Sequence, residues 1–438
     1  MIPVSEPLLD GNEKRYLAEC IDSGWISSEG PFVARFEQAF AARIGRAHGV
    51  AVCNGTAALE AGLYALGVGP GDEVVMPSFT IVSCALAALR RGAKPVLVDI
   101  DPDTWCMDAR QVEARLSPRT KVVMPVHIFG HPVDMDPLLR LRARHGFKIL
   151  EDAAEVHGAE YFSEHLGGRW LRCGAMGDAA ATSFYANKIV TTGEGGMVLA
   201  DDAAVAGRAR SYRNLCFRPE RRFYHTELGY NFRLTNLQAA VGLAQVERMD
   251  EFLRIKTRIG AQYRESLAGI PGLRFMPVRP WAKSVYWVYA VELDPPRGLE
   301  AVTVMERLRA RGVGTRPFFM GLHQQPALRD LGLFAGEDYP HTEQAHRFGF
   351  YLPSGLTLTE ALVEQVVGAV RESLQCTARR FRVTRATTIS SIATRITPAR
   401  RVLSTDCSVP PVCRRARCLT WGAERARMRG NLRNWAGG

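Results

Sequence analysis

The chain has 438 residues, 47% hydrophobic and 23% charged, which is ordinary globular material long enough for two domains. Its formal net charge of +11 is not spread: residues 376–438 hold 14 Arg, no Lys and only two acids, Asp406 and Glu424, leaving residues 1–375 at −1. A neutral body argues against a nucleic-acid or membrane-surface protein, and no apolar run approaches the roughly 18 residues that a membrane-spanning helix needs.

The opening, MIPVSEPLLDGNEKRYL, lacks the basic stretch and apolar core of a signal peptide. None of the ten cysteines has C-x-x-C spacing, so no metal site is expected, and we read them as reduced core thiols of a cytoplasmic protein. From about residue 50 to 200, short apolar runs alternate with helical stretches, the pattern of βαβ units around a mainly parallel sheet. The expected strands are 72–77, 95–100, 121–130, 147–152, 179–185 and 195–200. Helices are expected over 56–67 and 135–146, the second ended by Gly146. One long helix is expected from Leu234 to about Arg264, because Leu237, Val241, Ala244, Met249 and Phe252 recur near helical spacing.

The strand SVYWVYAVEL and helix TVMERLRARG then suggest a smaller α+β region. The fold expected is therefore α/β: a large domain over 1–250, a small C-terminal domain over 251–375, and a basic, disordered or loosely ordered tail over 376–438. The tail's composition fits a nucleic-acid or acidic-partner segment. It fits better an unselected extension, such as out-of-frame reading past a lost stop codon in a GC-rich gene, which gives Arg, Ala and Cys without Lys.

Of seven lysines, six sit among polar or turn residues and are expected at the surface. Lys188 differs: it follows the small-residue and aromatic run AAATSFYAN and precedes TTGEGG. Burial lowers a lysine's pKa toward the neutral amine that attacks carbonyls, although a structural lysine at a strand end fits as well. A Schiff-base lysine of the kind that binds pyridoxal 5′-phosphate (PLP) needs three companions. The first is a carboxylate for the pyridine nitrogen, and Asp152 ends an apolar strand where open α/β sheets hold ligands. Glu151 is its rival, but strand alternation points it to the other face. The second is a phosphate seat: Gly55, Thr56 and Ala57 open a helix whose free N–H groups favour an anion, and Ser183 adds a hydroxyl. Thr56 also fits a simple capping role. The third is a ring contact, which falls to Phe79 or a neighbour in MPSFTIVS, with a core phenylalanine as the plainer reading.

The order of these segments resembles the DegT/DnrJ/StrS sugar aminotransferases of PLP fold type I. The likeness runs over roughly 1–375 and includes NGTAALEAGLYALGVGPGDEVVMPSFT, PVHIFGHPVDMD, ILEDAAEVHGAEY, GDAAATSFYANKIVTTGEGGMV and ELGYNFRLTNLQAAVGLAQVERMD. It implies that Lys188 is the Schiff-base lysine, Asp152 the pyridinium partner, and Glu155 a polar neighbour of the cofactor face. Gly55, Thr56 and Ser183 would hold the phosphate, with Asn231 reaching the phosphate of a second subunit, so that a homodimer shares its active sites. A lysine at 188 argues against the family's dehydratase branch, which has a histidine there. The opening segment, GYNFRLTN and TRPFF followed by His323 look most like the perosamine-forming branch, which aminates C4 of GDP-4-keto-6-deoxymannose with glutamate as donor. In that reading Arg316 and His323 are candidate sugar-nucleotide contacts, although a surface or core position fits each of them as well. Alternatives are a dTDP- or UDP-linked keto-sugar, or a PLP-fold regulator that binds DNA through the tail. Many members carry an aromatic residue after the Thr of P-S-x-T, where this chain has Ile81.

Overall fold

The computed structural model describes residues 1–388, apart from 219, 222, 296 and 297. The chain forms two compact units, Met1–Arg380 and Phe381–Gly438; of the second only 381–388, which are helical, are described. The chain opens with α1 (Glu13–Ser23) and α2 (Pro31–Ile44). It then alternates β1 (His48–Val52), α3 (Gly55–Ala65), β2 (Glu73–Pro77), α4 (Ser83–Arg90), β3 (Lys94–Val98), α5 (Ala109–Val112), β4 (Thr120–Val123), α6 (Met135–His145) and β5 (Lys148–Asp152). A hairpin, β6 (Glu160–Ser163) and β7 (Arg169–Arg172), precedes β8 (Ala179–Ser183), β9 (Gly196–Ala200), α7 (Ala203–Tyr212), α8 (Asn236–Glu247) and α9 (Met249–Leu267). The remainder is β10 (Leu273–Phe275), β11 (Ala282–Lys283), β12 (Tyr289–Leu293), α10 (Ala301–Ala310), β13 (Arg316–Pro317), α11 (Pro326–Arg329), α12 (Pro340–Phe348), β14 (Gly349–Leu352) and α13 (Glu360–Thr388).

Seven strands form one sheet in the order β1-β9-β8-β5-β4-β2-β3. All its pairs are parallel except those of β9, which runs against both neighbours. The fold is thus α/β with a mainly parallel sheet, and β2, β8 and β9 are buried along their whole length, as strands covered on both faces must be. The small residues of β8 let α3 lie close to the sheet. There Gly62 leaves room for Leu150 of β5, since a Cβ at 62 would stand 2.9 Å from a Leu150 methyl. A second, antiparallel sheet, β10-β12-β14-β13, packs its own apolar cluster against α9, α10 and α13, including Tyr263, Tyr289, Leu308, Phe350 and Val366. A third small sheet joins β11, β6 and β7.

Several sequence expectations shift. The run 121–130 is a strand only as far as Val123, because Pro125 has no N–H to continue the ladder; its carbonyl instead accepts the Asp152 N–H at 2.9 Å. The long helix is two helices, broken at Arg248 (φ −105°, ψ 8°). The cores explain the break: α8 buries its face with α2 under the large sheet, whereas Ile259, Tyr263 and Leu267 of α9 belong to the cluster of the second sheet. One straight rod cannot serve both. Strand β1 is an addition to the expected set. Residues 376–388 continue α13 rather than starting a loose tail, since RESLQCTARRFRVTRATT holds neither Gly nor Pro to stop a helix; the rest of the tail, 389–438, lies outside the described residues. Lys256 is not at the surface. It is 3% exposed, because it shares the buried face of α9 with Phe252, Ile259 and Tyr263.

Alternation along β5 sends Glu151 and Asp152 to opposite faces. Glu151, wholly buried, accepts the N–H groups of Gly174, Met176 and Gly177 at 2.8, 2.7 and 2.6 Å. His127 Nδ1 takes the Val133 N–H, so its Nε2 carries the proton donated to Glu151 at 3.1 Å, and Arg46 stands 3.6 Å away. Burial alone pushes the Glu151 carboxyl up, but His127, Arg46 and the Gly177 amide outweigh it and hold the group below its ordinary value of 4.5. Its stabilisation is therefore present above 4.5 and lost as pH falls beneath it. Glu151→Gln is expected to lose about 1–3 kcal/mol in urea unfolding at pH 7, with a smaller deficit in acid; an unchanged midpoint at pH 7 contradicts this role.

Candidate active site

At the C-terminal ends of β5 and β8 lies a cavity of about 410 Å³. The parallel pairing of these strands sets Asp152 beside Ala181, and the loop after β8 carries Lys188 back over that end, its N–H bonded to the Tyr185 carbonyl at 2.8 Å. Gly55, Thr56, Asp152, Glu155, Ser183 and Lys188 all line the cavity.

The Lys188 side chain is 10% exposed, with Nζ 3.8 Å from Glu155 Oε1. Burial pushes its amine down, while Glu155 and Asp152 pull it back up; the balance falls below the ordinary lysine value of 10.5. Glu155 pays the converse cost, raised by burial to about 7 although Lys188 and the Phe129 N–H (2.8 Å) favour its charge. Asp152 is also raised by burial, against the Ala154 N–H on Oδ1 at 3.1 Å, the Cys84 thiol on Oδ2 at 3.2 Å and the charge of Lys188. His157, behind them, is buried and pushed down to about 3, hence neutral; it accepts the Val190 N–H and donates to the Thr182 hydroxyl.

The start of α3 forms the polar end of the cavity. Asn54 caps the helix by accepting the Ala57 N–H at 2.8 Å, which occupies that amide and buries Ala57 outside the cavity. The Gly55 and Thr56 amides have no partner among the described residues, and the Ser183 hydroxyl lies beside them. Two free amides, a helix N-terminus and a hydroxyl are the donor set a phosphate monoester needs. A buried carboxylate and a buried amine at the other end are what a pyridine nitrogen and an aldehyde need. These residues fit PLP.

Other expected contacts lie elsewhere. Phe79 does not line the cavity: it is wholly buried against Phe129, Phe318 and Phe319, and Ile81, 48% exposed, stands on the wall instead. His323 is buried with both ring nitrogens engaged, Nδ1 with Ser78 Oγ at 2.7 Å and Nε2 with Glu343 at 3.0 Å, so neither is free for a sugar. Arg316 is exposed outside the cavity, but β13–β14 pairing sets it opposite Tyr351, a cavity residue whose hydroxyl is raised by burial to about 12 despite the Arg316 charge. Asn231 is exposed and away from this cavity.

The structure adds residues that the sequence reading missed. Thr56 Oγ1 is bonded to Ser83 Oγ at 2.9 Å, and Cys84 reaches Asp152, both from the first turn of α4. Trp287, Phe319 and Tyr351 close the far wall from segments more than 90 residues beyond Lys188, which no local pattern links to it. Asn54, in contrast, stands directly before a helix start, where a capping signal was legible.

The pattern of the DegT/DnrJ/EryC1/StrS aminotransferase family matches residues 7–371. The chain belongs to this family. Its cofactor is PLP. The chain is 42% identical over 374 residues to GDP-perosamine synthase of Caulobacter vibrioides, covering 85% of this chain and 98% of that protein. Two solved structures are similar: the aminotransferase TlmJ from Streptoalloteichus hindustanus (TM-score 0.78, 33% identity, 86% of this chain and 100% of that one) and DesI in the presence of its TDP-sugar product (TM-score 0.77, 32%, 89% and 95%).

A methyl group at Gly55 would stand 2.8 Å from Ser183 Cβ and 3.2 Å from its hydroxyl, filling the polar notch. Gly55→Ala is expected to weaken PLP binding about tenfold or more in a fluorescence titration of the apoenzyme; wild-type affinity would move the phosphate's seat elsewhere.

Proposed function

We propose that this aminotransferase moves the amino group of glutamate to C4 of a GDP-linked 4-keto-6-deoxyhexose, GDP-4-keto-6-deoxymannose, making perosamine. The observation that carries the chemistry is Lys188, buried against Glu155 with its amine value lowered, in a cavity that ends in free helix amides. The likeness to GDP-perosamine synthase supports the sugar nucleotide.

When bound, PLP supplies a conjugated ring that takes up the electron pair released as a Cα–H bond breaks. In this reading Gly55, Thr56 and Ser183 hold its phosphate and Asp152 keeps a proton on its pyridine nitrogen. Asp152 is buried, so its charge acts in a low-dielectric setting. Glu155, held by the Phe129 N–H, borders the cofactor face and shares the charge of Lys188. Nζ of Lys188, once a free amine, takes the proton from the donor's Cα and would deliver it to the cofactor carbon on the far side of the donor nitrogen; the same atom moves the proton in the opposite sense for the keto-sugar. The nucleotide serves to orient the sugar carbonyl and takes no part in the chemistry.

The working unit in this proposal is a homodimer with shared sites. Asn231 is exposed, the apolar side chains Phe223, Tyr224 and Leu228 are exposed near it in sequence, and Ile81, Val82 and Leu86 are exposed at or near the cavity wall. A second copy covering these faces would bring Asn231 to the partner's phosphate seat. Mixing inactive Lys188→Ala with inactive Asn231→Ala is then expected to restore about a quarter of wild-type activity, one intact site per mixed dimer; no recovery contradicts the shared site.

The substrate is tested with GDP-, dTDP- and UDP-4-keto-6-deoxyhexoses, glutamate being the donor and 2-oxoglutarate release the readout. The GDP sugar is expected to lead in kcat/KM by about tenfold or more. A lead by the dTDP or UDP sugar would reject the GDP assignment and leave the aminotransferase intact.

A further inference from the structure

Lys188 has a third neighbour that is not a carboxylate. The centre of the Trp287 ring lies 3.7 Å from its Nζ, and Trp287 is buried, with 5% of its surface exposed. The tryptophan is fastened at two points. Its indole N–H donates to the carbonyl of Asn187, the residue before the lysine, at 2.8 Å. Its own carbonyl accepts from Lys256 Nζ at 2.7 Å, and Lys256 also donates to the Ser354 carbonyl. Lys256 has no carboxylate partner among the described residues, and burial pushes its amine down to about 7. A buried ammonium is costly, and this one is spent on two backbone carbonyls, one of them that of Trp287.

We propose that Trp287 is a positioning residue for Lys188: its indole face stabilises the ammonium and keeps Nζ at the cavity wall, and Lys256 fixes the tryptophan in that place. The negative face of an aromatic ring attracts a cation, more strongly where water is excluded. An aliphatic side chain at 287 would keep the site dry without that attraction. The other groups facing the ammonium are Glu155 and Asp152, which favour its charge, and neutral His157, with Glu194, Tyr185 and Tyr351 further along the cavity wall. The proposal rests on Lys188 being the reacting lysine, but its test reads the amine directly and does not require turnover.

The full chain, stripped of PLP, is treated briefly with formaldehyde and a borane reductant across a pH series. Methylation of the Lys188 peptide is followed by mass spectrometry, with the exposed Lys121 as internal reference. The initial rate reports the neutral amine. Its midpoint is expected to fall by about half a unit to one unit in Trp287→Leu, by less in Trp287→Phe, and in the same direction in Lys256→Met. A purely structural tryptophan gives the opposite sign, because a loosened site admits water and raises the midpoint. An unmoved or raised midpoint in Trp287→Leu, in a protein that still unfolds cooperatively, overturns the inference. If Trp287→Leu does not fold, the comparison of wild type with Trp287→Phe decides alone, and an unmoved or raised midpoint there overturns it. In each of these failures the assignment of Lys188 as the reacting lysine still stands.

Discussion

An ammonium buried beside carboxylates is the constraint from which the rest of this structure follows. Burial shifts the Lys188 amine toward its neutral form, yet a lysine buried without partners would be too costly to keep. Glu155 and Asp152 offset that cost, and burial raises both of them in turn. Such a set of opposed shifts demands fixed distances. They come from the sheet: β5 and β8 are adjacent and parallel, Asp152 faces Ala181 in register, and the loop that follows β8 folds back over the same edge. The alanines of β8 have no side chains large enough to push α3 away, so the helix start that offers free amides stands next to Ser183.

Much of this was legible in the sequence. Apolar runs bounded by turns located six of the seven strands of the large sheet, because strands covered on both faces need continuous apolar sequence. Alternation chose Asp152 over Glu151, and the structure gives Glu151 a separate task, tying down the 174–177 turn through three amides. Lysine scarcity drew attention to Lys188. The failures are equally physical. Helical spacing continues through Arg248, but it does not say that two cores in different directions compete for the helix. For His323 the sequence left a substrate contact and a core position both open, and in the structure Ser78 and Glu343 take both its nitrogens. Lys256 was placed at the surface from its polar neighbours, although its spacing to Phe252, Ile259 and Tyr263 already put it on the inner face of a helix.

The aromatic part of the cavity wall comes from late in the chain: Trp287 before β12, Phe319 after β13, and Tyr351 in β14. Long-range pairing in the second sheet brings them together, and that pairing has no local signature. The consequence is a division of labour. The large sheet supplies groups that hold charge, and the later segments supply surfaces that exclude water and face the amine.

The chemistry proposed for this site depends on which lysine meets the cofactor. Two lysines are buried with lowered amine values, Lys188 in the cavity and Lys256 behind Trp287. Borohydride reduction of the holoenzyme followed by peptide mapping separates them. Reduced PLP is expected on the peptide carrying Lys188, and Lys188→Ala is expected to retain none covalently. Finding it on Lys256, or on any other lysine, would contradict the site described above.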